Sequence, residues 1–198
     1  MNNYIQSLVD SKKLKKSIEP NRWKFDSNPY IISGPCSVES EEMIVDWAHK
    51  MKNSGVNALR GGAYKPCTYP ITEEIGKNGW KEGLREDGLK FLKTAREETG
   101  LPIVSEIMDS NQITESTMDC IDIVQVGTRN FQNYTLLDAL GELDIPILLK
   151  RGTWGTIDEI LGAVERILVR GNEKVAICLR GVVGAPSYRH VFPSIRWA

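Results

Sequence analysis

An α/β fold of the (β/α)8 TIM-barrel type, present as an incomplete barrel of about six β/α units, is what this 198-residue sequence predicts. Three observations lead there. From Tyr30 onward, short apolar runs alternate with amphipathic stretches. The runs are near-continuous blocks, as strands buried on both faces of a parallel sheet require. Residue types that carry chemistry follow the runs, always at the same C-terminal end. A doubly wound sheet gathers its functional residues at one switch point, whereas a barrel collects the ends of all its strands around one mouth. The barrel is the better fit.

The elements follow in order. Residues 1–28 are polar and Lys-rich and read as an N-terminal extension, with one helical stretch near Tyr4–Lys16 and a turn at Glu19-Pro20-Asn21. Residues 29–198 read as the partial barrel domain. Its strands are expected at Tyr30–Ser33, Val56–Leu59, Pro102–Ser105, Ile121–Val126, Ile145–Leu149 and Lys174–Leu179. Between them, Glu39–Asn53 carries Met43, Ile44, Trp47 and Met51 at helical spacing and stops before Gly55. Asp87–Thr99 carries Leu89, Leu92 and Ala95 three apart and ends at Gly100-Leu101-Pro102, a strong helix stop. Asn111–Met118, Tyr134–Leu140 and Thr156–Arg170 supply the later helices. The strand starts repeat every ~29 residues, so two further units need roughly 58 more, and Leu179 is followed by far fewer. The expectation is three-quarters of a barrel, with two sheet edges that favour self-association.

Composition removes several classes of function. Twenty-five Lys and Arg stand against 26 Asp and Glu, for a formal charge of −1, so no basic excess predicts a nucleic-acid partner. No apolar run approaches the ~18 residues of a membrane span. The N-terminal lysines come after the weakly apolar part, the wrong order for a secretory signal, so a cytoplasmic location is expected. Cys36, Cys67, Cys120 and Cys178 are widely spaced with no CxxC pair, which disfavours a structural zinc site or a disulfide framework. Each alone reads first as a small buried hydrophobe.

Arg60, Arg129, Lys150 and Arg180 follow four different runs, and Lys65 lies just beyond Arg60. Planar guanidinium forks match phosphate and carboxylate oxygens, so the expected guest is a small, multiply anionic molecule. Cys36, after Gly34-Pro35, is placed to act as nucleophile or metal ligand, and cationic neighbours favour its thiolate. His49 reads as a surface residue of its helix and His190 as an ordinary polar contact. There is no Ser-His-Asp arrangement and no Gly-rich phosphate loop; Gly61-Gly62 alone is weak evidence.

GPCSVES, LRGGAYKPCT, SEIMD, VQVGTRNFQN, LLKRG and GNEKVAICLRG, in that order and spacing, resemble 3-deoxy-7-phosphoheptulonate (DAHP) synthases of the short bacterial type related to 3-deoxy-octulosonate 8-phosphate synthase. The resemblance runs from about Pro29 to Arg189. It implies an enzyme that condenses phosphoenolpyruvate with erythrose 4-phosphate on a divalent metal (Mn, Fe, Co or Zn), opening the shikimate pathway to aromatic amino acids. It further implies that Arg60, Lys65, Arg129, Lys150 and Arg180 cradle phosphoenolpyruvate, with Glu106 and Gln125 lining the mouth. Lys65 and Thr68 face the aldose phosphate, and Cys36 is the cysteine metal ligand; Lys65 and Cys36 are the candidate catalytic pair. The implied partners are these small molecules and further copies of the chain.

The sequence departs from the family in three places. Cys67 stands where the family usually has arginine, removing a charge-assisted contact worth about 1.5–3 kcal/mol from the sugar-phosphate side. Tyr69–Arg85 is longer than the usual loop. The family's remaining metal ligands, a histidine after the seventh strand and a glutamate and aspartate around the eighth, have no counterpart, and His190 does not match their motif. Two other readings therefore stand beside the synthase: a related phosphoenolpyruvate-dependent enzyme using another aldose, and a phosphoenolpyruvate-binding protein without turnover. Feedback regulation is not predicted from the short N-terminal segment.

Overall fold

The computed structural model describes residues 29–66, 83–183 and 191–192. All six expected strands form: β1 (Ile32–Ser33), β2 (Ala58–Arg60), β3 (Ile103–Ile107), β4 (Ile123–Val126), β5 (Ile147–Lys150) and β6 (Val175–Cys178). Their order in the sheet is their order in the chain. The helices between them are α1 (Glu41–Asn53), α2 (Arg85–Thr99), α3 (Glu115–Cys120), α4 (Tyr134–Gly141) and α5 (Ile157–Leu168). After β6, the described residues form a short antiparallel pair, β7 (Val182–Val183) with β8 (Val191–Phe192), where a sixth β/α repeat calls for a helix. The chain divides into two compact units, Pro29–Val124 and the residues from Gln125 onward. The expected helix at Tyr4–Lys16 lies outside the described residues, as do Cys67, Thr68 and His190.

In the first unit β1, β2 and β3 pair in parallel, with Ile32 opposite Ala58, Leu59 opposite Ile103 and Arg60 opposite Val104. Every residue of β3 is buried, as a strand covered on both faces should be. Helix α1 begins where the Ser40 side chain accepts from Met43 N, with Glu41 and Glu42 in the first turn and Lys50 and Lys52 in the last, matching the helix dipole. Its buried stripe is Ile44 and Ala48, four apart. The sequence pattern had Met43, Trp47 and Met51 facing inward as well. Instead Trp47 is 40% exposed, with the Lys50 ammonium 5.9 Å from its ring centre. Helix α2 buries Leu89, Leu92 and Ala95 as their spacing predicts, each large residue contributing about 1.5–3 kcal/mol. It stops at Gly100, whose φ of 70° is the left-handed cap that glycine adopts without strain. The expected helix Asn111–Met118 is broken instead. Asp109 caps a single 3-10 turn at Ser110–Gln112, and Thr114 opens α3 afresh. Asp122 secures the base of this unit by accepting from Ile103 N (2.9 Å) and from Arg96 (3.2 Å).

In the second unit β5 and β6 pair in parallel from Ile147 opposite Val175 to Lys150 opposite Cys178. Thr156 and Glu159 form a reciprocal capping box at the start of α5. Leu136, Leu137 and Leu140 of α4 are buried, as are Ile160, Ala163 and Ile167 of α5. Outside this contact Arg166 makes a two-pronged pair with Asp138 at 2.6 and 2.8 Å. Burial on both faces fails for this pair of strands. Ile147 and Leu149 are fully buried, but Leu148 and Lys150 only half so, and Ile177 of β6 is 37% exposed. One face of β5 is thus buried and the other only partly so. No helix among the described residues is long and apolar enough to cross a membrane.

Candidate functional site

The predicted site residues that lie among the described ones divide between the two units. In the first unit, backbone proximity builds the site. Gly34 has a φ of +148°, and a side chain there would meet the Arg60 carbonyl oxygen at 2.1 Å. A side chain on Gly62 would meet the Cys36 carbonyl at 2.6 Å, and Val38 N donates to Gly62 O at 2.9 Å. Glycine at both positions lets the Gly34–Val38 loop lie directly on the end of β2. Arg60 then donates from Nη1 to Pro35 O at 3.3 Å. Cys36 is exposed, and its thiol is held below the ordinary cysteine range by a hydrogen bond from Lys65, opposed by partial burial and reinforced by the charges of Lys65 and Arg60.

Arg60 and Glu106 share one face of the β2–β3 pair, because Arg60 lies opposite Val104 and side chains two apart on a strand point the same way. Glu106 was expected just past its strand. It sits inside β3 and is 7% exposed, since the ladder continues two residues beyond the apolar run. Arg60 and Lys150 likewise end their strands where the sequence placed them immediately after. A neighbouring feature that the sequence did not single out is Ser105, buried at 1% exposure, whose hydroxyl accepts from Ala63 N at 3.4 Å.

In the second unit, side chains do the placing. Lys150 lies opposite Cys178 in the β5–β6 pair, and Arg180 follows two residues beyond the end of β6. Arg180 donates to the Thr128 hydroxyl at 2.8 Å, tying the residue after β6 to the 3-10 turn Thr128–Asn130 that carries Arg129. Gln125 is buried within β4 at 3% exposure. Arg129 is exposed on its turn. Two residues escaped the sequence reading although they stand within its motifs. Thr128 is the partner of Arg180, and Arg151 is buried at 4% exposure. A basic residue beside a strand end reads as solvent-facing or ligand-facing from sequence, and nothing local marks one that turns inward.

The structure thus brings Cys36, Arg60 and Lys65 together, and joins Arg180 to Thr128. Of the other cysteines, Cys120 is buried as the small-hydrophobe reading has it, and burial pushes its thiol up. His49 is exposed, 3.0 Å from Glu98, as a surface residue should be. Among the described residues no three of His, Cys, Asp and Glu gather as a metal-binding group. Cys36 as a lone ligand does not hold a hard divalent ion.

The pattern of the DAHP synthetase I family matches residues 22–193. The phospho-2-dehydro-3-deoxyheptonate aldolase of Thermotoga maritima is 41% identical over 152 residues, covering 77% of this chain and 42% of that protein. A 2-dehydro-3-deoxyphosphooctonate aldolase from Syntrophotalea carbinolica is 27% identical over 151 residues, or 76% of this chain and 54% of that one. The crystal structure of the Thermotoga maritima DAHP synthase superposes with a TM-score of 0.69 at 38% identity, over 80% of this chain and 43% of that one. The truncated form of the Thermotoga maritima enzyme gives 0.67 over 80% and 54%. The chain therefore spans about half the length of the relatives it matches, and its six parallel strands have the form of an incomplete (β/α) barrel.

Proposed function

The chain belongs to the DAHP synthetase I family, and from that premise we propose that it takes part in the condensation of phosphoenolpyruvate with erythrose 4-phosphate to 3-deoxy-D-arabino-heptulosonate 7-phosphate. The observation that carries the reading is the series of cations at strand ends, Arg60 and Lys65 in one unit and Lys150 and Arg180 in the other, with Arg129 on the turn after β4. Each sits where a barrel presents its ligands. Phosphoenolpyruvate carries a phosphate and a carboxylate, and two anionic groups on a small rigid molecule need several fixed donors. In this reading Arg60, Lys65, Arg129, Lys150 and Arg180 are assigned by motif to the carboxylate and phosphate of phosphoenolpyruvate. Glu106 and Gln125, both buried within strands, fix its orientation.

The chemistry asked of such a site is modest. Carbon 3 of phosphoenolpyruvate attacks the aldehyde carbon of the sugar, water adds at carbon 2, and phosphate leaves by cleavage of the C–O bond. Fixed cations hold the enol phosphate in the attacking geometry and stabilise the departing phosphate. Lys65 and Thr68 are assigned to the aldose phosphate. Enzymes of the family use a divalent metal, and Cys36 is the ligand assigned to it by motif; among the described residues no group of three His, Cys, Asp or Glu gathers around it. The described residues do not complete such a site, so no step is assigned to a metal here.

A second reading, binding without turnover, is favoured by that same incomplete donor set. The test is calorimetric titration of the 198-residue chain with phosphoenolpyruvate, paired with an assay of its consumption in the presence of erythrose 4-phosphate and Mn²⁺. Binding with metal-dependent consumption supports the synthase. Binding with no consumption supports the second reading, and no binding overturns both.

A further inference from the structure

Lys150 and Arg151 are adjacent basic residues with opposite surroundings. Along β5 burial alternates, Ile147 and Leu149 buried, Leu148 and Lys150 half-buried, and Arg151 continues the buried series at 4% exposure. Arg151 therefore turns to the side of the strand away from Lys150 and cannot share a ligand with it. Its guanidinium meets no carboxylate among the described residues. It donates instead from Nε (2.9 Å) and Nη2 (2.6 Å) to one acceptor, the Gly155 carbonyl, and Nη1 is buried with no hydrogen-bond partner. A charged donor left buried and unpartnered is costly, and a chain keeps one where its geometry is in use.

That geometry closes the loop after β5. Gly155 N donates to Gly152 O at 3.1 Å, folding residues 152–155 into a tight turn with the Arg151 fork across its end. The turn lies on the ring of Phe131, which is fully buried. A side chain at Gly152 would meet Phe131 Cε1 at 2.2 Å, and one at Gly155 would meet Cζ at 2.6 Å. Trp154 packs on the same ring at 5.8 Å between centres and donates to Gln132 at 3.4 Å. Phe131 immediately follows the 3-10 turn that holds Arg129 and Thr128, and Thr128 accepts from Arg180. The backbone of Arg151 closes the circuit by donating to Cys178 O at 3.1 Å.

We infer that Arg151 is a positioning residue for the anion site of this unit: by clamping Gly155 it presses the 152–155 turn onto Phe131 and thereby sets Lys150, Arg129 and Arg180 relative to one another. The inference rests on the phosphoenolpyruvate reading for the identity of the anion, but the clamp itself does not. A single acceptor bonded twice by one planar fork cannot be reproduced by lysine, which keeps the charge and loses the fork.

The test is Arg151→Lys in the full 198-residue chain, read by amide hydrogen exchange and by phosphoenolpyruvate titration. Exchange at residues 128–133 and 152–155 is expected to quicken about tenfold or more, while α5 and the first residues of β5 keep wild-type rates. The dissociation constant for phosphoenolpyruvate is expected to rise about tenfold. In the wild type, phosphoenolpyruvate should slow exchange in the same two segments, as linkage requires. Phe131→Leu, which leaves Arg151 in place but removes the ring beneath the turn, should give the same pair of changes if Arg151→Lys does not fold. Unaltered exchange at 128–133 overturns the inference, as does faster exchange with unaltered affinity. A wild-type chain that binds no phosphoenolpyruvate overturns the functional reading, and the clamp is then decided by the exchange data alone.

Discussion

The two units place cations at strand ends by different means. In Pro29–Val124 the Cys36–Arg60–Lys65 group is set by main chain lying on main chain, and glycine at 34 and 62 is what permits the approach. From Gln125 onward, Lys150, Arg129 and Arg180 are set by a buried ring, a buried guanidinium and a hydroxyl. The first arrangement fails when a side chain is added. The second fails when one is removed. A loop held by backbone contact also leaves its thiol open to solvent beside two cations, whereas in the second unit the Arg151 guanidinium and the Phe131 ring are buried.

Phe131→Ala should have the largest effect, costing about 3–5 kcal/mol through the cavity left beneath Gly152 and Gly155. Denaturant unfolding measures it, and a cost below ~1 kcal/mol would mean the turn closes over the gap and the ring is no wedge. Gly34→Ala should follow at roughly 2–3 kcal/mol, since it combines a positive φ with a 2.1 Å approach to the Arg60 carbonyl. If it is tolerated, the contrast between the units is lost, because the first loop can then move aside.

The third prediction concerns Cys36. With Lys65 and then Arg60 holding its thiol low, the folded chain binds fewer protons than the unfolded one between the lowered value and the ~8.5 of a free thiol. In that window stability rises with pH, and the contribution is lost as pH falls through the folded value. The same shift makes Cys36 alkylate faster than a free cysteine at pH 7. Lys65→Met should slow this about tenfold, with the two rates converging near pH 10. Peptide mapping after iodoacetamide reads it, and equal rates at pH 7 would show that Lys65 does not set the thiolate. The smallest effect belongs to His49 and Glu98, about half exposed at 3.0 Å. Glu98→Gln should change stability by less than ~0.5 kcal/mol, which unfolding of the two chains side by side can verify. A larger loss would place a structural contact of the first unit on its surface.

The alternation of apolar runs and amphipathic stretches was enough to set out six strands, the helices between them and the cations that end them, because burial repeats with local period and Gly100, Ser40 and Thr156 mark helix ends within a few residues. The ordered motifs carried the family as well. Contacts between residues far apart in the chain were not legible. Local pattern could not say that Glu106 lies within β3, that Trp47 stays exposed or that a 3-10 turn divides the helix expected at Asn111–Met118. Nor could it distinguish Lys150 from Arg151. Both are basic residues at one strand end, and which of them turns inward is decided only when Gly155 and Phe131 come to lie beside them. Periodicity records which face of an element is apolar, but the partner that meets a charge on that face comes from elsewhere in the chain, and only tertiary packing decides it.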